Sequence, residues 1–259
     1  MERTPKLIDT HCHYSDEAYG AEAPEAIRRS IEAGVGKMLQ ADIDSRERPA
    51  MYGLCERYPG VLFPMLGLYP GSVDAGWRDE IDALEPWFAK NPVAVGEIGL
   101  DYHFSTEFKE EQKEALRVQL ELASERDLPV NIHLRDATED FVKIIRDSSR
   151  LHLRGNLHAY SGSAETFREL SRYADWSVGI GGVVTFKKAS IAETLREIPL
   201  EKILLETDAP YLTPAPYRGR RNESSMIPLI AGAVASVKDV DIEEVAAVTT
   251  SSARKLFAI

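Results

Sequence analysis

Short apolar runs ending in polar or small residues alternate along the chain with longer segments whose apolar residues recur at helical spacing. The short runs predict eight strands, at 6–13, 37–43, 62–69, 94–102, 129–135, 154–162, 176–186 and 202–209. The longer segments predict helices at 23–34, 46–58, 79–89, 108–126, 137–149, 163–173 and 189–197, with two more between 223 and 257. The first helical segment carries Pro24 near its start and Gly34 at its end, the usual asymmetry of helix termini. Strict alternation of strand and helix implies a parallel sheet. Eight such units in 259 residues have the size of a TIM-type (β/α)8 barrel, an α/β fold, here with an extra C-terminal helix and room for distortion. An open, doubly wound sheet is the alternative, but no G-x-G-x-x-G follows the first strand to supply a nucleotide site. One domain over 1–259 is expected.

The composition adds limits. With 44% hydrophobic and 28% charged residues the chain can bury a large core without disulfides. Its two cysteines, Cys12 and Cys55, have no metal-finger spacing, and no secretory or membrane-spanning stretch is seen, so a reduced, cytoplasmic protein with no membrane partner is expected. A net charge of −11 disfavours a protein that coats nucleic acid, but leaves room for local phosphate binding by metals and a few arginines.

The candidate chemistry lies in the strands. In LIDTHCH (7–13), Asp9, His11 and His13 alternate, so their side chains share one face. Three polar groups there are a poor core and a good start to a metal site. A barrel places its working residues at the C-terminal ends of its strands. His11 and His13 end the first strand, Glu97 lies in the fourth, His133 ends the fifth, His158 the sixth and Asp208 the eighth. Four imidazoles and two carboxylates suit two divalent ions, with Glu97 bridging them. His11, His13 and Asp208 would hold one ion, and His133 and His158 the other, because closure brings the eighth strand beside the first. Mixed nitrogen and oxygen ligation suits Zn²⁺, Mn²⁺ or Fe²⁺, whereas Mg²⁺ prefers oxygen. Asp9 and Glu206 lie one step deeper on the same faces and can orient the ligands, and Asp101 lies one step further out than Glu97. His103 and His152 are expected at the surface and Cys12 in the core.

The motifs DTHCH, VGEIGLDY, NIHLRDA, LHAYSG and ETDAPYLTP, in this order, resemble those of the TatD family of metal-dependent hydrolases. The resemblance runs from 7 to about 223. It implies an amidohydrolase-type barrel, a divalent-metal site on the same six residues, and Mg²⁺-supported hydrolysis of phosphodiesters in DNA. There are departures. The family's G-x-H-P is GLYP here, with Tyr69 in place of a histidine beside the metals and substrate; H-x-F-S-G is HAYSG, with Tyr160; and the N-E-P turn is N-E-S, at 222–224.

These readings converge on a hydrolase that cleaves DNA, single-stranded and from an end, by a metal-activated hydroxide. Asp208 and Glu97 are the candidate catalytic groups, with Asp208 as proton acceptor. Arg135, Tyr69 and Arg220, the last in a basic, mobile loop at 218–223, are the candidate substrate contacts, and Lys187 and Lys188 follow the seventh strand. No obligatory protein partner is evident. The same centre would serve a carbonyl substrate, such as an amide, ester, lactone or aminoacyl-RNA, and a non-catalytic metal-binding scaffold is the third reading.

Overall fold

The computed structural model describes residues 7–259; Lys6, at the start of the first predicted strand, lies outside them. The strands are β1 (Leu7–Cys12), β2 (Val35–Gln40), β3 (Leu62–Pro64), β4 (Val95–Asp101), β5 (Val130–Arg135), β6 (Arg154–Leu157), β7 (Asp175–Ile180) and β8 (Ile203–Leu205). Between and after them come α1 (Ala23–Glu32), α2 (Arg48–Arg57), α3 (Trp77–Asp82), α4 (Lys109–Glu125), α5 (Thr138–Asp147), α6 (Ala164–Leu170), α7 (Ile191–Glu197), α8 (Ile227–Lys238) and α9 (Ile242–Phe257).

All pairings are parallel, in the order β1-β2-β3 and β4-β5-β6-β7-β8. Two thin seams complete the ring. Past β8, Ala209 bridges Cys12, His13 N donates to Ala209 O at 2.7 Å, and Asp208 N donates to His11 O at 3.0 Å. Past β3, Leu66 bridges Val95 and donates to Ala94 O at 3.0 Å. The fold is therefore the distorted (β/α)8 barrel that the alternation predicts.

The strands stop sooner than their apolar runs. Pro64, without an N–H, ends β3, and Gly181–Gly182 turns β7 into a single 3-10 turn over Gly182–Thr185. The predicted helix at 79–89 is divided: Pro86 cannot continue α3, and Glu85–Lys90 forms a 3-10 helix instead. Hydrophobic periodicity registers burial and is blind to where the ladder of hydrogen bonds ends.

The helices bury one stripe each. In α5 it is Phe141, Ile144 and Ile145, and Phe141 meets the fully buried Trp176 of β7 with ring centroids 6.0 Å apart. Ala253 and Phe257 of α9 pack with Ile8, Leu39, Met65 and Leu204 of the barrel wall, which gives the extra C-terminal helix its seat.

Gly99 shows how tightly β4 and β5 approach. Its φ is +148°, and a Cβ there would lie 1.9 Å from His133 O. Gly99→Ala should cost about 1–3 kcal/mol through forced separation of the strands. A thermal melt should show Tm lower by several degrees; an unchanged Tm would contradict this packing.

Candidate metal centre

Parity on β1 and the ends of five strands bring the six candidate ligands together. His11 is fully buried and His13 nearly so, with their Nε2 atoms 3.0 Å apart. Glu97 Oε2 lies 3.3 Å from His11 Nε2 and 3.6 Å from His13 Nε2, and its other oxygen, Oε1, lies 2.8 Å from His133 Nδ1. Asp208 Oδ1 lies 3.7 Å from His11 Nε2, 3.5 Å from His13 Nε2 and 3.7 Å from His158 Nε2. Asp208 sits in the left-handed region, at φ +56°, just beyond β8. That conformation is tolerated by Asp more readily than by most residues.

Three groups of donor atoms have the spacing to hold an ion: His11–His13–Glu97, Glu97–His133–His158 and His11–His158–Asp208. Glu97 belongs to two of them, which fits a bridging role. Asp208 faces both halves rather than only the His11–His13 half.

The ring orientations come from a deeper layer. Asn131 Oδ1 accepts from His11 Nδ1 at 2.8 Å, which leaves the His11 Nε2 lone pair facing His13 Nε2. Two buried lone pairs at that distance repel unless a proton or a cation lies between them, so the donor chemistry fits a metal. Glu206 Oε1 lies 2.9 Å from His158 Nδ1 and accepts from Ala159 N at 2.5 Å. Asp101 Oδ2 lies 2.8 Å from His133 Nε2, so this imidazole offers Nδ1 to the centre.

Asp9 differs from what its parity alone would give. Its oxygens accept from His11 N at 3.2 Å, Thr207 N at 3.0 Å, Thr207 Oγ1 at 2.5 Å and Ser224 Oγ at 2.6 Å. It fixes backbone rather than a ring. Asn131 is the partner that the sequence reading missed, and a signal for it existed. The residues two before His11, His133, His158 and Asp208 are Asp9, Asn131, Asn156 and Glu206. All four are polar and fully buried, and Asn156 Nδ2 itself donates to Glu206 at 3.3 Å. Asn131→Leu should weaken metal binding roughly 10–100-fold by freeing the His11 ring. Competition with a metal-sensitive dye would measure it, and unchanged affinity would contradict the orienting role.

Charge balance is set by burial against the carboxylates. Burial disfavours a charged His133, but Asp101 and Glu97 outweigh it and hold its pKa up at about 9. Burial likewise opposes charge on His158, and Glu206 and Asp208 raise it to about 10. Burial and His158 push His11 down. Burial raises Glu97 and Asp208, but the imidazoles overcome this and hold both below the usual carboxylate range.

Metal ligation therefore displaces protons from His133 and His158 at neutral pH, and apparent affinity should rise with pH until about 9–10. In the metal-free protein the sign is opposite. Stability from these two raised imidazoles is fully present below their ordinary value of 6.5 and is lost as pH climbs through about 9 and 10. Calorimetry of metal binding in buffers of different ionisation enthalpy should show proton release at pH 7; none would contradict the arrangement.

The candidate substrate contacts lie around the mouth. The Tyr69 ring meets His133 edge-on, with centroids 5.1 Å apart, and burial near Glu97 raises its hydroxyl pKa. Arg135 is exposed at the end of β5, over the ring of Phe104 at 4.9 Å. Arg220 is exposed and lines an outer groove with Arg218 and Tyr211. The rest of that basic segment departs from a free rim loop. Arg221 pairs with Glu22 at 2.6 Å, Asn222 is fully buried and donates to Thr207 O at 2.8 Å, and Glu223 pairs with Arg29 at 2.6 Å. Contacts to neighbouring backbone and side chains anchor 221–224, so the free guanidinium groups at the groove are those of Arg218 and Arg220, while Arg221 lines it with its charge paired to Glu22.

Other residues lie away from the centre. His103 is exposed, with Nδ1 2.9 Å from Asp136, and His152 is exposed. Cys12 is buried, with Sγ donating to Leu39 O at 3.3 Å. The Tyr160 hydroxyl donates to Ser163 O at 2.7 Å and shapes its own loop. Among the described residues, no helix is long and apolar enough to cross a membrane.

Comparison with known proteins gives the same picture. A family model described as TatD related DNase matches residues 8–258. The chain is 37% identical over 260 residues to a Bacillus subtilis protein named uncharacterized metal-dependent hydrolase YabD, covering 98% of this chain and 99% of the relative. It is 30% identical over 259 residues to the 3'-5' ssDNA/RNA exonuclease TatD of Erwinia billingiae, covering 97% and 98% of the two chains. The crystal structure of the TatD homologue YjjV from Escherichia coli superposes with a TM-score of 0.92 at 26% identity, covering 99% of this chain and 100% of that one.

Proposed function

Since the chain belongs to the TatD family of metal-dependent hydrolases, we propose that it hydrolyses phosphodiester bonds of single-stranded DNA from a strand end, as a single catalytic domain. One observation carries the reading. Glu97 turns Oε2 to His11 at 3.3 Å and Oε1 to His133 at 2.8 Å, so one carboxylate joins two sets of imidazoles. A relative matched over 98% of its length is named a 3'-5' ssDNA/RNA exonuclease, which supports the substrate class.

His11, His13, Glu97, His133, His158 and Asp208 would hold two divalent ions, of Zn²⁺, Mn²⁺ or Mg²⁺. When bound, such ions acidify a water and neutralise charge building on phosphoryl oxygens. The protein supplies the rest. Asp208 is deprotonated and partly open to solvent, with 16% of its side chain exposed, so it can take the proton of the attacking water. As the water oxygen joins phosphorus and the ester P–O bond breaks, Asp208 returns that proton to the leaving oxygen. In this reading Tyr69 would donate a hydrogen bond from its hydroxyl to a phosphoryl oxygen, and Arg135 and Arg220 would offer charge to flanking phosphates.

The test is release of nucleotides from end-labelled single-stranded DNA with Mg²⁺, Mn²⁺ and Zn²⁺ in turn, beside a chelated control. Metal-dependent release is the expected result. Hydrolysis of an amide or ester is the competing reading, favoured by the net charge of −11. No cleavage by protein that demonstrably carries metal would move the assignment there.

A further inference from the structure

Beside the centre a cavity of about 220 Å³ opens between the ends of β6, β7 and β8, and the carboxylates Asp208 and Glu206 form part of its wall. Its inner walls are aliphatic: Ile180, Val183, Val184 and Ile191. Its mouth is polar, with Ser161, Ser190 and Lys188. Apart from Asp208, none of these residues takes part in holding or activating the reacting bond.

The cavity is formed before anything enters it. Gly182 presses so closely on the segment after β8 that a Cβ would lie 2.1 Å from Leu212 O. Thr185 Oγ1 donates to Gly182 O at 2.7 Å and accepts from Ala215 N at 2.8 Å, which ties the two walls together. The volume is below the roughly 300–1,000 Å³ of sites for drug-sized ligands, so it suits one ring system. Ile180 and Ile191 at the back belong to the buried core, so a chain cannot continue past them. At the mouth, Leu212 also lines the open groove of Arg218, Arg220 and Tyr211, where a polyanion can continue.

Apolar faces with polar groups at one edge describe a nucleobase. We infer that this cavity seats the terminal base of a single strand whose last phosphodiester lies at Asp208, with the following phosphates along the Arg218–Arg220 groove. The inference rests on the phosphodiesterase reading and adds a seat for the base next to the bond that is cut. The cavity shares Asp208 with the centre and Leu212 with the Arg218–Arg220 groove, so a base seated in it has its phosphates led out on the groove side.

The test uses metal-loaded protein and two readouts. The first is calorimetric binding of a deoxynucleoside monophosphate against deoxyribose 5-phosphate. The second is cleavage of oligonucleotides ending in a normal nucleotide against the same strands ending in an abasic residue. Base-bearing ligands should bind, and base-bearing ends should be cut, at least about 10-fold better. Ala189→Phe, which fills the cavity, should bring both ratios toward one. Ser190→Trp, at the exposed mouth and free of the core, should do the same if Ala189→Phe fails to fold. Equal binding with and without the base would overturn the pocket, whatever the hydrolytic activity. Base-dependent binding that Ala189→Phe or Ser190→Trp abolishes, with no diester hydrolysed, would keep the pocket and discard the phosphodiesterase reading.

Discussion

Asp208→Asn should lower kcat for diester hydrolysis by about 10²–10⁴-fold while the protein keeps its fold and most of its metal. The substitution preserves shape and leaves one oxygen to face His11, His13 and His158. It removes the negative charge, and with it the ability to accept a proton from water. Because His158 and His13 hold the Asp208 carboxyl below its usual range against the effect of burial, the native group stays ionised well into acid. Activity should therefore be limited at low pH by competition of protons with metal at the imidazoles, and not by protonation of Asp208. Turnover in the variant, beside metal content by elemental analysis and a thermal melt, decides the matter. Retained turnover would mean that the proton goes elsewhere.

Glu97→Gln should do broader damage. Both oxygens of Glu97 are engaged, with His11 and His13 on one side and His133 on the other. An amide offers one oxygen and one N–H, so one side must face a donor, and a buried negative charge is lost beside four imidazoles. Metal affinity should fall by more than the roughly 10–100-fold that an outer orienting partner costs, and turnover should fall with it. The imidazoles would also lose a carboxylate that keeps His133 protonated in the metal-free state, so proton release on loading should shrink. Metal content and the buffer dependence of binding heat would report both effects. A Glu97→Gln protein with full metal content and full proton release would remove the bridge from this account.

The six candidate ligands were legible because strand chemistry is periodic. His11 and His13 share a parity, and a barrel offers its strand ends to one mouth, so residues nearly 200 positions apart could be placed together. The closing seam was legible for the same reason. Where strands stop was not, because Leu66 and Leu68 are as buried beyond β3 as any residue within a strand. Asn131 was hidden by type: an asparagine in NIHLR reads as a neutral strand position until its spacing from His133 is compared with that of Asp9 from His11. The basic loop misled in the opposite way. Arg221, Asn222 and Glu223 read as a solvated run, yet specific acceptors at Glu22, Thr207 and donors at Arg29 draw them in. The apolar cavity could not be read at all, since its walls come from three separate connections and each alone is ordinary core.

The knot around Asp9 sets an order of events during synthesis. Three of its four hydrogen bonds join the first strand to Thr207 and Ser224, and the backbone of His11 is held by the same carboxylate and by Asp208 N. A growing chain that has reached residue 200 already carries five of the six candidate ligands, but lacks Asp208 and every distant donor to Asp9. Its first strand then has only His11 N as donor to Asp9 and an open edge. The closed ring and the full ligand set therefore both depend on residues from Asp208 to Ser224, so a chain cut short of them should be unable to hold metal as the whole protein does.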